Sequence, residues 1–169
     1  MKGHVGVVRR LAEAKASLDV QADLGPTPIH QASVAGHVDV VRVLAEAKAS
    51  LDVQTDRGAT PLHLASMNGH VDVVRRLAEA KASLDVQTGS GYTAAHLASS
   101  TGYAAVVQLL AEGKASLDVQ NGHGVAPIHS ASKRGHVEVI RLLAKHNADL
   151  HIISRDGRNP ACSAALTGH

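Results

Sequence analysis

Apolar and polar positions along the chain follow a pattern that returns every 33 residues. In the copy beginning at Thr60, a hydroxyl residue suited to capping a helix precedes Pro61, whose missing N–H costs nothing at the first helical position. Gly69, able to enter the left-handed region, closes this short helix. The spacing therefore predicts a first helix over about 61–67. Val71, Val73, Val74 and Leu77 then recur at helical spacing, with Asp72 near the positive end of the helix dipole. They predict a second helix running to about Ala80. Residues 81–91 alternate loosely, contain β-branched side chains and reach Gly89-Ser90-Gly91, which predicts a hairpin-like turn projecting from the helix pair.

Three phases of the repeat can be followed along the chain. Gly3, Gly36, Gly69, Gly102, Gly135 and Gly168 stand 33 residues apart, and the next residue is His4, His37, His70, Tyr103, His136 or His169. A second phase reads Thr27-Pro28-Ile29-His30, Thr60-Pro61-Leu62-His63, Thr93-Ala94-Ala95-His96 and Ala126-Pro127-Ile128-His129, and decays to Asn159-Pro160-Ala161-Cys162. A third, Leu18-Asp19-Val20-Gln21, recurs from Leu51, Leu84 and Leu117.

With Thr60-Pro61-Leu62-His63-Leu64-Ala65 followed by Gly69-His70, the chain resembles the ankyrin repeat family over essentially its whole length. The resemblance implies an all-α fold with short β-hairpin-like loops: an L-shaped solenoid of stacked antiparallel helix pairs. In such a fold, hairpin tips and first helices line a concave face. One domain over 1–169 is expected, with full repeats at 23–55, 56–88, 89–121 and 122–154. Residues 1–22 read as a partial repeat lacking its first helix, and 155–169 as one lacking its second. The whole reads as a segment of a longer array.

Two departures from the family pattern recur. Lys15, Lys48, Lys81 and Lys114 stand where the family usually has Gly after the second helix, and Asn147 fills the fifth such place. If the backbone stays left-handed there, each Lys costs on the order of 1 kcal/mol. A lysine ammonium near the helix C-terminus recovers roughly 0.3–1 kcal/mol of that. Ala12, Ala45, Ala78, Ala111 and Ala144 replace larger aliphatic residues, so less apolar area should be buried there. Both departures predict an array less stable than a consensus one of equal length.

Composition narrows the function. There are 28 Ala, 20 Val and 17 Leu, but Tyr92 and Tyr103 are the only aromatics, so small aliphatic side chains must pack the core and base-stacking platforms are disfavoured. Net charge is +2, too small to imply a polyanion, although residues 121–169 carry six basic and three acidic groups. Cys162 is the only cysteine, which rules out an internal disulfide or a cysteine-based zinc site and favours a cytoplasmic, or more broadly intracellular, setting including the nucleus. No run is long enough for a membrane span, and Lys2, His4, Arg9 and Arg10 break up any signal-peptide core.

Candidate chemistry is sparse. Nine of the twelve histidines fall on the two repeat phases, so neighbours should form a ladder and not the convergent cluster, with ligands about 2 Å from the ion, that zinc requires. The resemblance gives His63-type residues the role of linking adjacent loops by hydrogen bonds. His123, His146 and His151 lie outside the phases with no carboxylate or cysteine set beside them. Gly113-Lys114-Ala115 lacks the upstream glycine and Ser/Thr of a phosphate-binding loop, and Gly89-Ser90-Gly91 lacks nucleophile-elbow spacing. Cys162, in the place of a motif histidine, reads as a small buried residue. Arg42 with Glu46, and Arg75 with Glu79, read as solvated pairs on second helices. No catalytic residue, cofactor or metal is expected.

Variation between copies is the remaining signal, since positions free to differ are not held by the repeat's own packing. These are Asp23, Leu24, Pro26, Val34 and Ala35, then Asp56, Arg57, Ala59, Met67 and Asn68. Later copies add Ser90, Tyr92, Ser100 and Thr101, then His123, Val125, Lys133 and Arg134, and finally Arg155, Asp156, Arg158, Leu166 and Thr167. By resemblance they lie at hairpin tips and on the concave side of first helices. Arg57, Met67, Asn68, Tyr92, Ser100, Thr101, His123, Lys133, Arg134, Arg155 and Arg158 are the expected partner-binding residues. The reading is a monomeric, non-catalytic scaffold that binds an acidic or mixed polar segment of another protein, with no small-molecule substrate, membrane or nucleic acid. The alternative is a regulatory or targeting segment of a larger enzyme.

Overall fold

The computed structural model describes residues 4–21 and 25–169, so the expectations for Asp23 and Leu24 lie outside the described residues. Among the described residues there are ten helices and no strand. First helices are α2 (Pro28–Val34), α4 (Pro61–Met67), α6 (Ala94–Thr101), α8 (Pro127–Lys133) and α10 (Pro160–Ala165). Second helices are α1 (Val5–Glu13), α3 (Val38–Glu46), α5 (Val71–Glu79), α7 (Ala104–Glu112) and α9 (Val137–Lys145).

Local chemistry sets the boundaries. Thr60 is extended at the N-cap of α4, with Pro61 in the first turn, and Gly69 turns left-handed at φ 70° to redirect the chain into α5. α5 ends one residue before the expected limit, with Ala80 as its C-cap. The next residue, Lys81, has φ 70°, and Lys15, Lys48, Lys114 and Asn147 are also left-handed. Each of these turns is a Schellman cap. Lys81 N–H donates to Ala78 O and Ala82 N–H to Leu77 O, both at 3.0 Å. The residue after the left-handed position is the apolar contact of the cap, which explains why Ala49, Ala82, Ala115 and Ala148 are buried. The shortened side chains at Ala45, Ala78 and Ala111 are half-buried, so they remove less core than a fully buried position would.

Two parallel rows result. Each first helix packs on the first helices of neighbouring repeats, each second helix does the same in its own row, and within a repeat the pair packs together. Apolar faces meet between the rows. Ile29, Leu62 and Ile128 from first helices and Leu44, Leu77, Leu110 and Leu143 from second helices are at most 1% exposed. The burial of successive copies against one another makes a solenoid, with sequential elements in contact.

The loops differ from a β-hairpin. Thr88 N–H donates to Tyr92 O at 2.9 Å and Gly91 N–H to Thr88 O at 2.8 Å, closing a tight turn with no strand ladder. Their remaining backbone groups reach sideways to the next loop instead. Gly89 N–H donates to Arg57 O, Gly122 N–H to Ser90 O and Arg155 N–H to His123 O, each at 3.1 Å.

Two expectations are corrected. Glu79 pairs with Arg76 at 3.0 Å and not with Arg75. Both arginines are helix-surface neighbours of Glu79, and Arg76 takes the place that Val43 fills in the preceding repeat, where Arg42 alone is available to pair with Glu46 at 3.3 Å. Cys162 is exposed. It occupies the register of the buried His63, but no further helix pair among the described residues packs over α10.

Candidate functional site

The floor of the loop side is a ladder of buried histidines. Thr60 N–H donates to His63 Nδ1 at 3.1 Å, so the ring replaces the Glu or Gln of an ordinary capping box. The other nitrogen lies 2.9 Å from Tyr92 O, and a carbonyl can only accept, so Nε2 carries the proton. His30 makes the same pair of bonds to Thr27 N and Ala59 O, His96 to Thr93 N and Val125 O, and His129 to Ala126 N and Arg158 O. Each ring thus ties its own helix start to the residue before the next one. Burial pushes the His30 and His63 rings below the usual imidazole range. His96 falls to about 4, chiefly through burial and further through the flanking His63 and His129. With both nitrogens engaged, these rings are structural. Among the described residues no group of three His, Cys, Asp or Glu is placed to hold a metal ion.

Two more ladders run along the loops, built from the Asp and Gln of the third sequence phase. Asp52 accepts from Ser83 N–H at 2.9 Å, as Asp19, Asp85 and Asp118 do from Ser50, Ser116 and Asp149. Gln87 Nε2 donates to Gly91 O of its own loop and Gln120 O of the next, and Gln21, Gln54 and Gln120 repeat the arrangement. These bonds align the loop tips as a continuous edge.

Above this frame the structure brings six of the expected partner-binding residues into one groove of about 570 Å³: Tyr92, Ser100, His123, Lys133, Arg134 and Arg158. Val125, Leu166 and Thr167 also line it. The Tyr92 ring is seated edge-on to His96, with centroids 5.6 Å apart. Arg158 is paired with Asp156 at 2.8 Å, and Asp156 is held below the usual carboxylate range by the Ser154 hydroxyl and then by Arg158. Lys133 and Arg134 have no ion-pair partner among the described residues. They are the open positive charge of the groove.

The other residues are placed elsewhere. Arg155 lines a separate hollow of about 500 Å³ between the loop tips, beside Gln87, Gln120 and Asn121. Arg57 is exposed on its loop, and Met67 is 44% exposed at the end of α4. Asn68 Nδ2 and Thr101 Oγ1 turn back onto their own helices, each donating at 2.8 Å to Leu64 O and Leu97 O respectively. The sequence reading missed Ser130 and Ser163 as lining residues. Their register, occupied in turn by Gln31, Leu64, Leu97, Ser130 and Ser163, does vary between copies, and that variation was the available signal.

A family profile described as ankyrin repeats in three copies matches residues 48–121 and 95–169, and one described as ankyrin repeats in many copies matches residues 11–65. The chain belongs to the ankyrin repeat family. No curated protein matches it. Ankyrin repeats are in general protein–protein interaction modules and typically lack catalytic activity. The paired helices, left-handed turns and linked loops of this chain are the ankyrin scaffold, and its copy-to-copy differences are laid on that frame. No helix among the described residues is long and apolar enough to cross a membrane.

Proposed function

We propose that this ankyrin domain is a non-catalytic, monomeric scaffold of an intracellular compartment. It consists of four complete repeats flanked by two partial ones, and it captures an acidic or mixed polar segment of another protein. The observation that carries the reading is the groove in which Lys133 and Arg134 stand unpaired and whose wall the seated Tyr92 ring also forms. Two unneutralised cations at a concave surface steer an anionic segment and favour its register, while a rigid aromatic adds contact area at small ordering cost. Stacked repeats hold these groups in place before binding, which reduces the conformational loss on association. The single cysteine fits a reducing compartment.

The test is double charge reversal, Lys133→Glu with Arg134→Glu, assayed against an acidic peptide library at low salt. We expect the enriched peptides to lose at least about tenfold in affinity, roughly 1.4 kcal/mol, and the remaining affinity to depend less on salt. Binding that is indifferent to both reversals removes these residues from the site.

A further inference from the structure

The exposed side of the row of first helices changes chemistry along the stack. At the last position of α2 and α4 stand Val34 and Met67, 43% and 44% exposed. One turn earlier on α4 and α6, Leu64 and Leu97 are half-buried, in the register that Ser130 occupies in the groove wall. None of α2, α4 or α6 contains Lys, Arg, Asp or Glu. At the register of Val34 and Met67, α8 instead presents Lys133, followed by Arg134. Because these first helices stack side by side in order, the uncharged stretch and the basic stretch are consecutive parts of one face.

We infer that the segment taken by this face is bipartite, with acidic residues at Lys133 and Arg134 and an aliphatic anchor against Leu64, Met67 and Leu97. This rests on the acidic-segment reading and adds a second contact of different chemistry. Two steps of helix packing at about 8–10 Å separate α4 from α8, roughly 16–20 Å in all. An extended chain crosses that distance in about five or six residues at ~3.3 Å each. A purely acidic segment would leave the aliphatic stripe in water. A purely apolar one would gain nothing from the two open cations.

The test is selection of random peptides, long enough to span four repeats, against the full 169-residue chain. The enriched peptides are then measured on Met67→Glu and on the double charge reversal at Lys133 and Arg134. We expect Asp or Glu pairs about five or six residues from Leu, Ile or Met. Each variant should lower affinity at least about tenfold with its denaturation midpoint held within error of the parent. Enriched peptides that are acidic, sensitive to the charge reversal and indifferent to Met67→Glu overturn the bipartite inference and leave the acidic-segment reading standing. Peptides indifferent to both variants, or no enrichment, overturn both.

Discussion

Lys81 lies at φ 70° because the Schellman cap needs a left-handed residue between Ala80 and the buried Ala82, whatever side chain occupies the place. An L-residue with a Cβ strains there by about 1 kcal/mol, and part of a glycine's advantage is cancelled by its greater freedom in the unfolded chain. Since both variants also lose the ammonium's roughly 0.3–1 kcal/mol at the helix end, Lys81→Gly should stabilise the domain by no more than about 0.5 kcal/mol, while Lys81→Ala, which keeps the Cβ, should cost roughly 0.3–1 kcal/mol. Urea denaturation of the two variants checks this. A midpoint for Lys81→Gly at or below the parent value would show that the lysine's interaction with the helix end outweighs the strain. Three more lysines share the geometry, so the effect should recur at Lys15, Lys48 and Lys114.

Between elements, the conspicuous device is the glycine that joins each first helix to its second. Gly69 is left-handed and also lies beneath a ring of the next repeat: an added Cβ would come within 2.6 Å of Tyr103. Gly168 has a similar φ of 79°, yet nothing lies within 4 Å of its Cβ position. The pair separates two costs that the repeat motif combines. Gly168→Ala should cost only the backbone strain, about 1 kcal/mol, whereas Gly69→Ala should cost a further 1–2 kcal/mol or so by displacing the Tyr103 ring. Equal losses in chemical denaturation would mean that the ring moves aside freely. His70 and His136 cover Gly36 and Gly102 in the same way, so the glycine and histidine of this phase are partners across repeats as much as neighbours in sequence.

For the whole molecule, the histidine ladder makes stability depend on pH. His30, His63 and His96 are held neutral in the fold, with pKa values below the 6.5 of an unperturbed imidazole. Above that value both states are neutral and the ladder gives no pH slope. Below it the unfolded chain binds protons that the folded chain refuses, so stability falls with falling pH, for His96 until about 4. The denaturation midpoint should be level above about pH 7 and decline steadily between about 6.5 and 4, with His96 alone responsible for on the order of 3 kcal/mol. A midpoint that stays level to pH 4 would mean that the rings take protons without losing their bonds. Because each ring joins one repeat to the next, acidification should uncouple repeats as well as weaken them.

Much of this architecture could be read directly from residue order. Thr60, Pro61 and Gly69 bound a helix through local caps and turns, whereas the left-handed lysines were expected only conditionally, through the resemblance that usually puts glycine in their place. The ladders of Asp52 and Gln87 were visible only as a recurring phrase, because their partners lie 31 and 33 residues away and are selected by stacking. The groove depended on the same stacking, which brings Tyr92 and Lys133 to one groove from different repeats, whereas Asn68 and Thr101 bond back onto their own helices. Cys162 was misread because a register implies burial only where another repeat covers it.

Leu11 and Leu77 mark the division most plainly. Both stand in the same run, Val-Val-Arg-Arg-Leu-Ala-Glu, and both lie on a helix, as the apolar spacing alone determines. Leu77 is fully buried between its first helix and the neighbouring repeats, whereas Leu11 is 49% exposed because α1 has no first helix packed beside it among the described residues. Backbone conformation is settled within a few residues by caps, sterics and periodicity. Burial, hydrogen-bond partners and the chemistry of the concave face belong to surfaces brought together from different copies, and only the tertiary structure decides which copies meet.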